Sequence, residues 1–148
     1  MDPAEIKTYL YQHIPLSKAM AVEIVRADAD KVILHAPLAP NINHRETVFG
    51  GSASALAILS AWTLLYVRLQ QAGLHSRVVI QRNCVDYQHA IPADFEAHAA
   101  IEDAKLWQRF VHILTRKQRA RINVHADLYC DAQKVGEMTG DFVALALA

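Results

Sequence analysis

Residues 51–71 run GSASALAILSAWTLLYVRLQQ, and how this stretch is read decides the fold. It is apolar almost all round until Arg68, Gln70 and Gln71, and Gly73 follows as a stop. A helix over it is roughly 30 Å long at the usual rise per residue. Its longest apolar run, Ala53 to Val67, contains Ser54, Ser60 and Thr63 and falls short of the about 20 residues of a membrane span. The stretch therefore reads as a helix enclosed by protein. Ala53, Ala57 and Ala61 recur every fourth position, a small-residue stripe that lets the helix press closely on a sheet.

The flanking sequence supplies that sheet. On the N-terminal side, residues 3–12 form a short amphipathic helix with Pro3 in its first turn, and Pro15 is expected to end it. Met20 to Val25 and Val32 to Ala36 alternate as strands around the polar hairpin Ala27-Asp28-Ala29-Asp30. Pro37 to Gly51 has no period and reads as an irregular loop delivering the chain into the helix. Beyond the helix, residues 77–88 are rich in β-branched residues, and Phe95 to Glu102 alternates strictly. Residues 105–115 return to helical spacing. Ile122 to Leu128 and Val135 to Leu147 are strands again, with Gly136 and Gly140 as expected bend or bulge points. The order α-β-β-loop-α-β-β-α-β-β is dominated by hairpins. It predicts an α+β chain in which a largely antiparallel six-stranded sheet wraps one long central helix, the plan of the hotdog fold, as one domain over residues 1–148.

Composition narrows the function classes. The 148 residues carry 15 Lys+Arg and 15 Asp+Glu, a formal charge of zero, without the basic excess of a dedicated nucleic-acid binder. With 53% hydrophobic and 20% charged residues the chain is a packed globule rather than a disordered one. A chain of this size hides roughly two-thirds of its unfolded surface. Cys84 and Cys130 are too far apart in sequence for a disulfide framework or a zinc knuckle and read as inert buried thiols. Asp2, Glu5 and Lys7 interrupt any leader pattern, so the expected setting is the cytoplasm, with no membrane or nucleic-acid partner. The eight histidines lack His-x-x-x-His spacing, so no metal site and no cofactor are expected, and His98 and His125 read as solvated.

The stretch Asn41-x-Asn43-x-x-x-Thr47-x-Phe49-Gly50-Gly51-Ser52, with Leu56, Leu59, Trp62 and Leu65 behind it, resembles the thioesterase domain of YiiD type. That domain also occurs fused behind an acetyltransferase domain in some bacteria. The resemblance extends to Trp107-x-x-Phe110, to Arg119-Ala120-Arg121 and to Thr139-Gly140 with Phe142 to Leu145, so it covers nearly the whole chain. It implies a hotdog fold, a homodimer or higher assembly, and an acyl-thioester substrate.

The candidate site gathers at the loop and the helix start. The first amides of a helix lack internal partners and sit at the positive end of its dipole. Gly50 and Gly51 carry no side chain to keep a ligand off those amides, so an acyl carbonyl docked there finds an oxyanion hole. The competing reading is a tight turn before a close-packed helix. Ser52 and Ser54 follow the same logic, Ser52 equally as a helix cap, and Phe49 completes the substrate-facing signature. Asn41 and Asn43 bring polar groups to the mouth: one is expected to hold the loop, and Asn43 is a candidate for positioning water. Thr47 reads as a brace or substrate contact, and His44 as exposed. The helix holds no Asp or Glu, where many hotdog thioesterases place their carboxylate. The base is therefore sought at Glu46 on the loop or at Asp86 on the following strand, where an apolar face beside Tyr87 would raise its pKa. Asn83 is a candidate for orienting the water. Arg119, in the basic run Arg116-Lys117-x-Arg119-x-Arg121, is a candidate contact for coenzyme A phosphates or an acidic carrier protein, against the plain reading of a charged strand edge. Trp62, Trp107 and Phe110 read as core rather than as substrate wall.

The function expected from these residues is hydrolysis of acyl thioesters, on coenzyme A or an acyl carrier protein, at a dimer interface near residues 41–51. A non-catalytic acyl-binding module is the first rival. A hotdog dehydratase is the second, with only His44 and Glu46 to supply its paired histidine and carboxylate. Gly-x-Ser-x-Gly is absent, so a serine nucleophile is not expected.

Overall fold

Two prolines partition the N-terminal segment of the computed structural model, which describes residues 1–147. Asp2 caps α1 (Pro3–His13) in a reciprocal box with Glu5, both bonds 2.9 Å. Pro15, expected only as a stop, also opens a second helix, α2 (Pro15–Ala19), where its missing N–H costs nothing. Ala21 then turns the chain with φ +58, and the first strand begins later than the alternation suggests, as β1 (Glu23–Ala27). Asp28 accepts the amides of Asp30 and Lys31 and so closes the hairpin into β2 (Lys31–Ala36).

A 3-10 turn (Ala39–Asn41) and the loop that follows lead into α3 (Gly50–Gln71). This helix is long and apolar enough to cross a membrane, yet most of it is buried inside the protein. It is followed by β3 (Ser76–Tyr87), β4 (Phe95–Ala100), α4 (Ala104–Lys117), β5 (Arg119–Cys130) and β6 (Gln133–Ala146). Every pairing in the six-stranded sheet is antiparallel, in the order β1-β2-β4-β5-β6-β3. The expected plan of one sheet around one long helix is what forms.

Packing follows the residue pattern. α3 lies chiefly on β4 and β2. Ala53, Ala57 and Ala61 on the helix and Ala97 and Ala99 on β4 are all buried to 1% exposure or less, so small faces small and the backbones approach closely. Phe95, Phe142, Leu56, Leu64 and Leu65 fill the space on either side, each contributing about 2 kcal/mol by burial. Arg68 fastens the far end of α3: Nε donates to the Ala29 carbonyl at 2.7 Å and Nη2 to that of Ile101 at 3.0 Å, with the guanidinium 5.0 Å over the Trp107 ring.

Of the sheet's three register shifts, one skips Val25 on β1 with no glycine beside it, and two lie near the glycines expected to bend the sheet. Between Leu128 and Tyr129 the register skips Val135 on β6, next to Gly136. Between Ile80 and Arg82 it skips Gln81 on β3, where β6 continues through Gly140 without a break. Gly140 is a packing site instead, since a Cβ there would stand 2.9 Å from the Phe142 ring. At Gly136 a Cβ would stand 2.7 Å from the Asp86 carbonyl oxygen, so only glycine lets β3 come this close. Cys130 is buried as expected, and burial pushes its thiol pKa up. Cys84 is exposed, because β3 is the edge strand and Cys84 sits on its outer face opposite Thr139.

Candidate active site

The loop before α3 is stiffened by its own polar residues. Asn43 Oδ1 accepts the amides of Arg45 at 2.8 Å and Thr47 at 3.2 Å, and its Nδ2 donates to Thr47 Oγ1 at 2.9 Å. Both ends of the amide are thus spent on an Asx-type turn. Glu46 stands at the tip of that turn, exposed, with φ +64, a left-handed backbone that non-glycine residues adopt rarely. Asn41 is 2% exposed, and its Nδ2 donates to the carbonyls of Met20 and Pro37, so it ties the loop to the N-terminal helices. Ile42 and Val48 form an isolated bridge, and the Val48 amide donates to the Ile91 carbonyl at 2.9 Å.

This brace delivers Phe49 to the N-cap of α3 with no side-chain cap. The Phe49 amide donates to the Asn41 carbonyl, and the Phe49 carbonyl accepts from Ser52 at 2.9 Å and Ala53 at 3.1 Å. The amides of Gly50 and Gly51 have no acceptor among the described residues. They are two adjacent donors at the positive end of a 22-residue helix. The exposed ring of Phe49 lies over Gly51, where any Cβ would overlap it. Ser52 and Ser54 are half-buried on the first turn.

The other wall comes from the end of β3. The Tyr87 hydroxyl donates to the Gly50 carbonyl at 3.0 Å. The β6 bulge sets the next two residues, because the Val135 carbonyl accepts the amides of both Gln88 at 2.9 Å and His89 at 3.1 Å. Val48, Gly50, Ala53, Tyr87, Gln88 and His89 together line a cavity of about 230 Å³ at the helix start. Tyr87 and His89 escaped the sequence reading. His89 sits in an Ala-Pro-flanked connection without period, and only the Val135 contact aims it.

Several expected residues lie elsewhere. Successive side chains of a strand alternate between faces. Tyr87 turns towards α3, so Asp86 turns to the opposite face, where it registers with Glu137, and Glu137 with Asp127. The apolar surroundings expected for Asp86 are therefore replaced by a row of carboxylates. Asn83 shares the helix-facing side with Tyr87 and is exposed two pairs further along. Arg119 registers with Leu145 while Tyr87 registers with Gly136, so nine residues of β6, about 30 Å, separate them.

The outer face holds a cluster that histidine spacing did not reveal, because its members come from two strands. His125 Nε2 bonds Asp127 Oδ1 at 2.7 Å, and Lys134 Nζ lies 3.2 Å from Asp127 and 2.8 Å from Glu137. Burial pushes the Asp127 carboxyl up, but the bonds from His125 and Lys134 outweigh it and hold its pKa below the usual range. His125, Asp127 and Glu137 bring potential metal ligands within 4.8 Å of one another. The Lys134 ammonium already answers both carboxylates, which makes this an ion-pair network. His98, expected as solvated, is half-buried between Glu96 at 3.0 Å and the Tyr129 ring at 4.5 Å.

One antiparallel six-stranded sheet around one long central helix is the hotdog architecture. Residues 3–146 match the family profile described as "Putative thioesterase (yiiD_Cterm)", and the chain belongs to that family. Among solved structures it is similar to a protein of unknown function from Chlorobaculum tepidum, at 28% identity and a TM-score of 0.91 over 97% of this chain and 93% of that one. It is similar in fold to a thioesterase described as putative from Shewanella oneidensis, at 22% identity and TM-score 0.87 over 97% and 96% of the two chains. A "probable thioesterase" from Pseudomonas aeruginosa matches at 17% identity and TM-score 0.83 over 99% and 97%.

Proposed function

We propose that this protein hydrolyses acyl thioesters, carried by coenzyme A or an acyl carrier protein, and does so as a homodimer or dimer of dimers. The observation that carries the reading is the pair of unanswered amides at Gly50 and Gly51 at the positive end of α3, where Gly50 lines a small cavity. Charge develops on the acyl oxygen as water attacks the thioester carbon. Two fixed N–H donors at that oxygen stabilise the tetrahedral species more than the substrate, which is what lowers a barrier.

Water needs a proton acceptor, and there are two candidates, of which only His89 lines the cavity. His89 lines the cavity with Gly50, and imidazole is the commonest general base. Glu46 lies on the loop, four residues before Gly50. Asp86 faces away from α3 within its own chain, so it ranks below both. Asn43 and Thr47 act as braces, and Asn83 remains a polar neighbour along the helix-facing side of β3. Partnership is supported by β3 itself. It is a 12-residue edge strand hydrogen-bonded on one side only, with Val79 44% exposed, and natural proteins cover such edges.

A hydrolysis screen over acyl-coenzyme A and acyl carrier protein substrates tests the reading. On the best substrate, His89→Gln or Glu46→Gln should lose at least about a hundredfold in rate, while Asp86→Asn stays near the parent. If no thioester is turned over but mass spectrometry finds bound acyl species, the protein is an acyl-binding module. The absence of any Asp or Glu from α3 already favours that as the second reading.

A further inference from the structure

The Gly50 carbonyl and the Gly51 N–H are the two ends of one planar peptide unit, so whatever holds the carbonyl also aims the amide. The Tyr87 hydroxyl donates to that carbonyl at 3.0 Å. We propose that Tyr87 is the positioning residue of this site, fixing and polarising the peptide whose Gly51 N–H binds the acyl oxygen. This rests on the thioester reading of the Gly50–Gly51 end.

The peptide needs such a hold. Two successive glycines have more backbone freedom than any other pair, and helix ends fray. Phe49 at the N-cap offers no side chain to grip the first amides. The Tyr87 bond ties the peptide to the sheet instead. It also strengthens the amide as a donor, because hydrogen bonds linked through one group polarise each other. That gain is largest when the acyl oxygen carries charge, so Tyr87 favours the transition state over the bound substrate.

The donor is firmly mounted. Tyr87 registers with Gly136, where a Cβ would stand 2.7 Å from the Asp86 carbonyl oxygen, so glycine lets this end of β3 close on β6. Immediately after Tyr87, the amides of Gln88 and His89 both bond the Val135 carbonyl. The backbone on each side of Tyr87 is thus tied to β6. Its ring lies against Gly50, 3.6 Å from where a Cβ would stand. The hydroxyl proton is spent on the carbonyl, so Tyr87 acts through the peptide rather than on the substrate.

Gly51 is the only one of the five glycines that follows another glycine. Cell-free labelling with glycine carrying a 13C carbonyl and a 15N amide therefore gives one carbonyl–amide correlation by NMR, and it reports this peptide alone. In Tyr87→Phe the Gly50 carbonyl resonance should move upfield, while Cys84→Ser, on the outer face of the same strand, should leave it in place. On the best acyl-coenzyme A substrate, Tyr87→Phe should lower kcat about tenfold with KM held within about twofold. Two inhibitors separate this role from a merely structural one. The trifluoromethyl ketone analogue of octanoyl-coenzyme A presents a tetrahedral oxygen to the amides, and the octyl-coenzyme A thioether has no oxygen there. Tyr87→Phe should weaken the ketone about tenfold and the thioether by less than about twofold. A parent that turns over no thioester and binds neither inhibitor overturns the hydrolysis reading, even where the carbonyl resonance moves. In an active parent, an unmoved carbonyl resonance, an unchanged kcat or equal losses for both inhibitors would overturn the role of Tyr87 alone.

Discussion

At Gly51 the space a side chain would take is filled by the ring of Phe49, so the glycine serves the packing of its own N-cap as well as the amide it exposes. Valine there would push Phe49 aside, which an exposed ring on a flexible side chain allows, and would set two methyls over the free amides. Gly51→Val should therefore keep its unfolding midpoint within a few degrees of the parent. Its kcat/KM should drop about a hundredfold or more, the usual cost of losing an oxyanion donor. Thermal melts and initial rates on the same preparation decide this. Parental turnover would reduce the glycine pair to a packing device. Other residues at the mouth follow a similar logic of commitment. Asn41 and Asn43 look alike in sequence, yet both have their Nδ2 donors spent on holding the loop, so neither amide is free to swing towards a substrate.

Among the elements, α3 positions the site and Arg68 holds its far end. The Arg68 guanidinium joins the β1–β2 hairpin, the end of β4 and α4 through two carbonyls and one ring, and desolvation lowers its pKa. Arg68→Met keeps the aliphatic stem but leaves the Ala29 and Ile101 carbonyls unanswered. It should cost about 2 kcal/mol or more in denaturant unfolding, with the site chemistry intact at low temperature. A loss within about 0.5 kcal/mol would mean water replaces both bonds. The helices and strands themselves were legible because their signal is periodic and local: alternation along Phe95 to Ile101, and an apolar run from Ala53 to Val67 closed by Arg68 and Gly73. The second N-terminal helix was not, because Pro15 ends one helix and starts the next within two residues, and a stop signal and a start signal there use the same residue.

For the whole molecule, the exposed edge of β3 is the largest unmet demand. Val79 is 44% exposed on that edge strand, so a second copy paired along β3 shields backbone and side chain together. Val79→Lys should shift the assembly to monomer at micromolar concentration by light scattering, because it sets like charges opposite or near one another across a two-fold edge. A parent that scatters as a monomer under the same conditions would remove the shared site from the proposal.

The chain's own order of residues determined the class of fold, the enclosed helix and the place of the Gly50–Gly51 turn, since each depends on neighbours close in sequence. The tertiary structure alone decided which polar groups meet there. Asp86 and Tyr87 are adjacent in the chain, yet strand pleating sends one to the outer carboxylate row and the other to the Gly50 carbonyl. His89 reaches the same cavity because a bulge at Val135, some 46 residues later, offers one carbonyl to two amides. Cross-strand register and the satisfaction of backbone donors are set by residues far apart in the chain, and no local period encodes them.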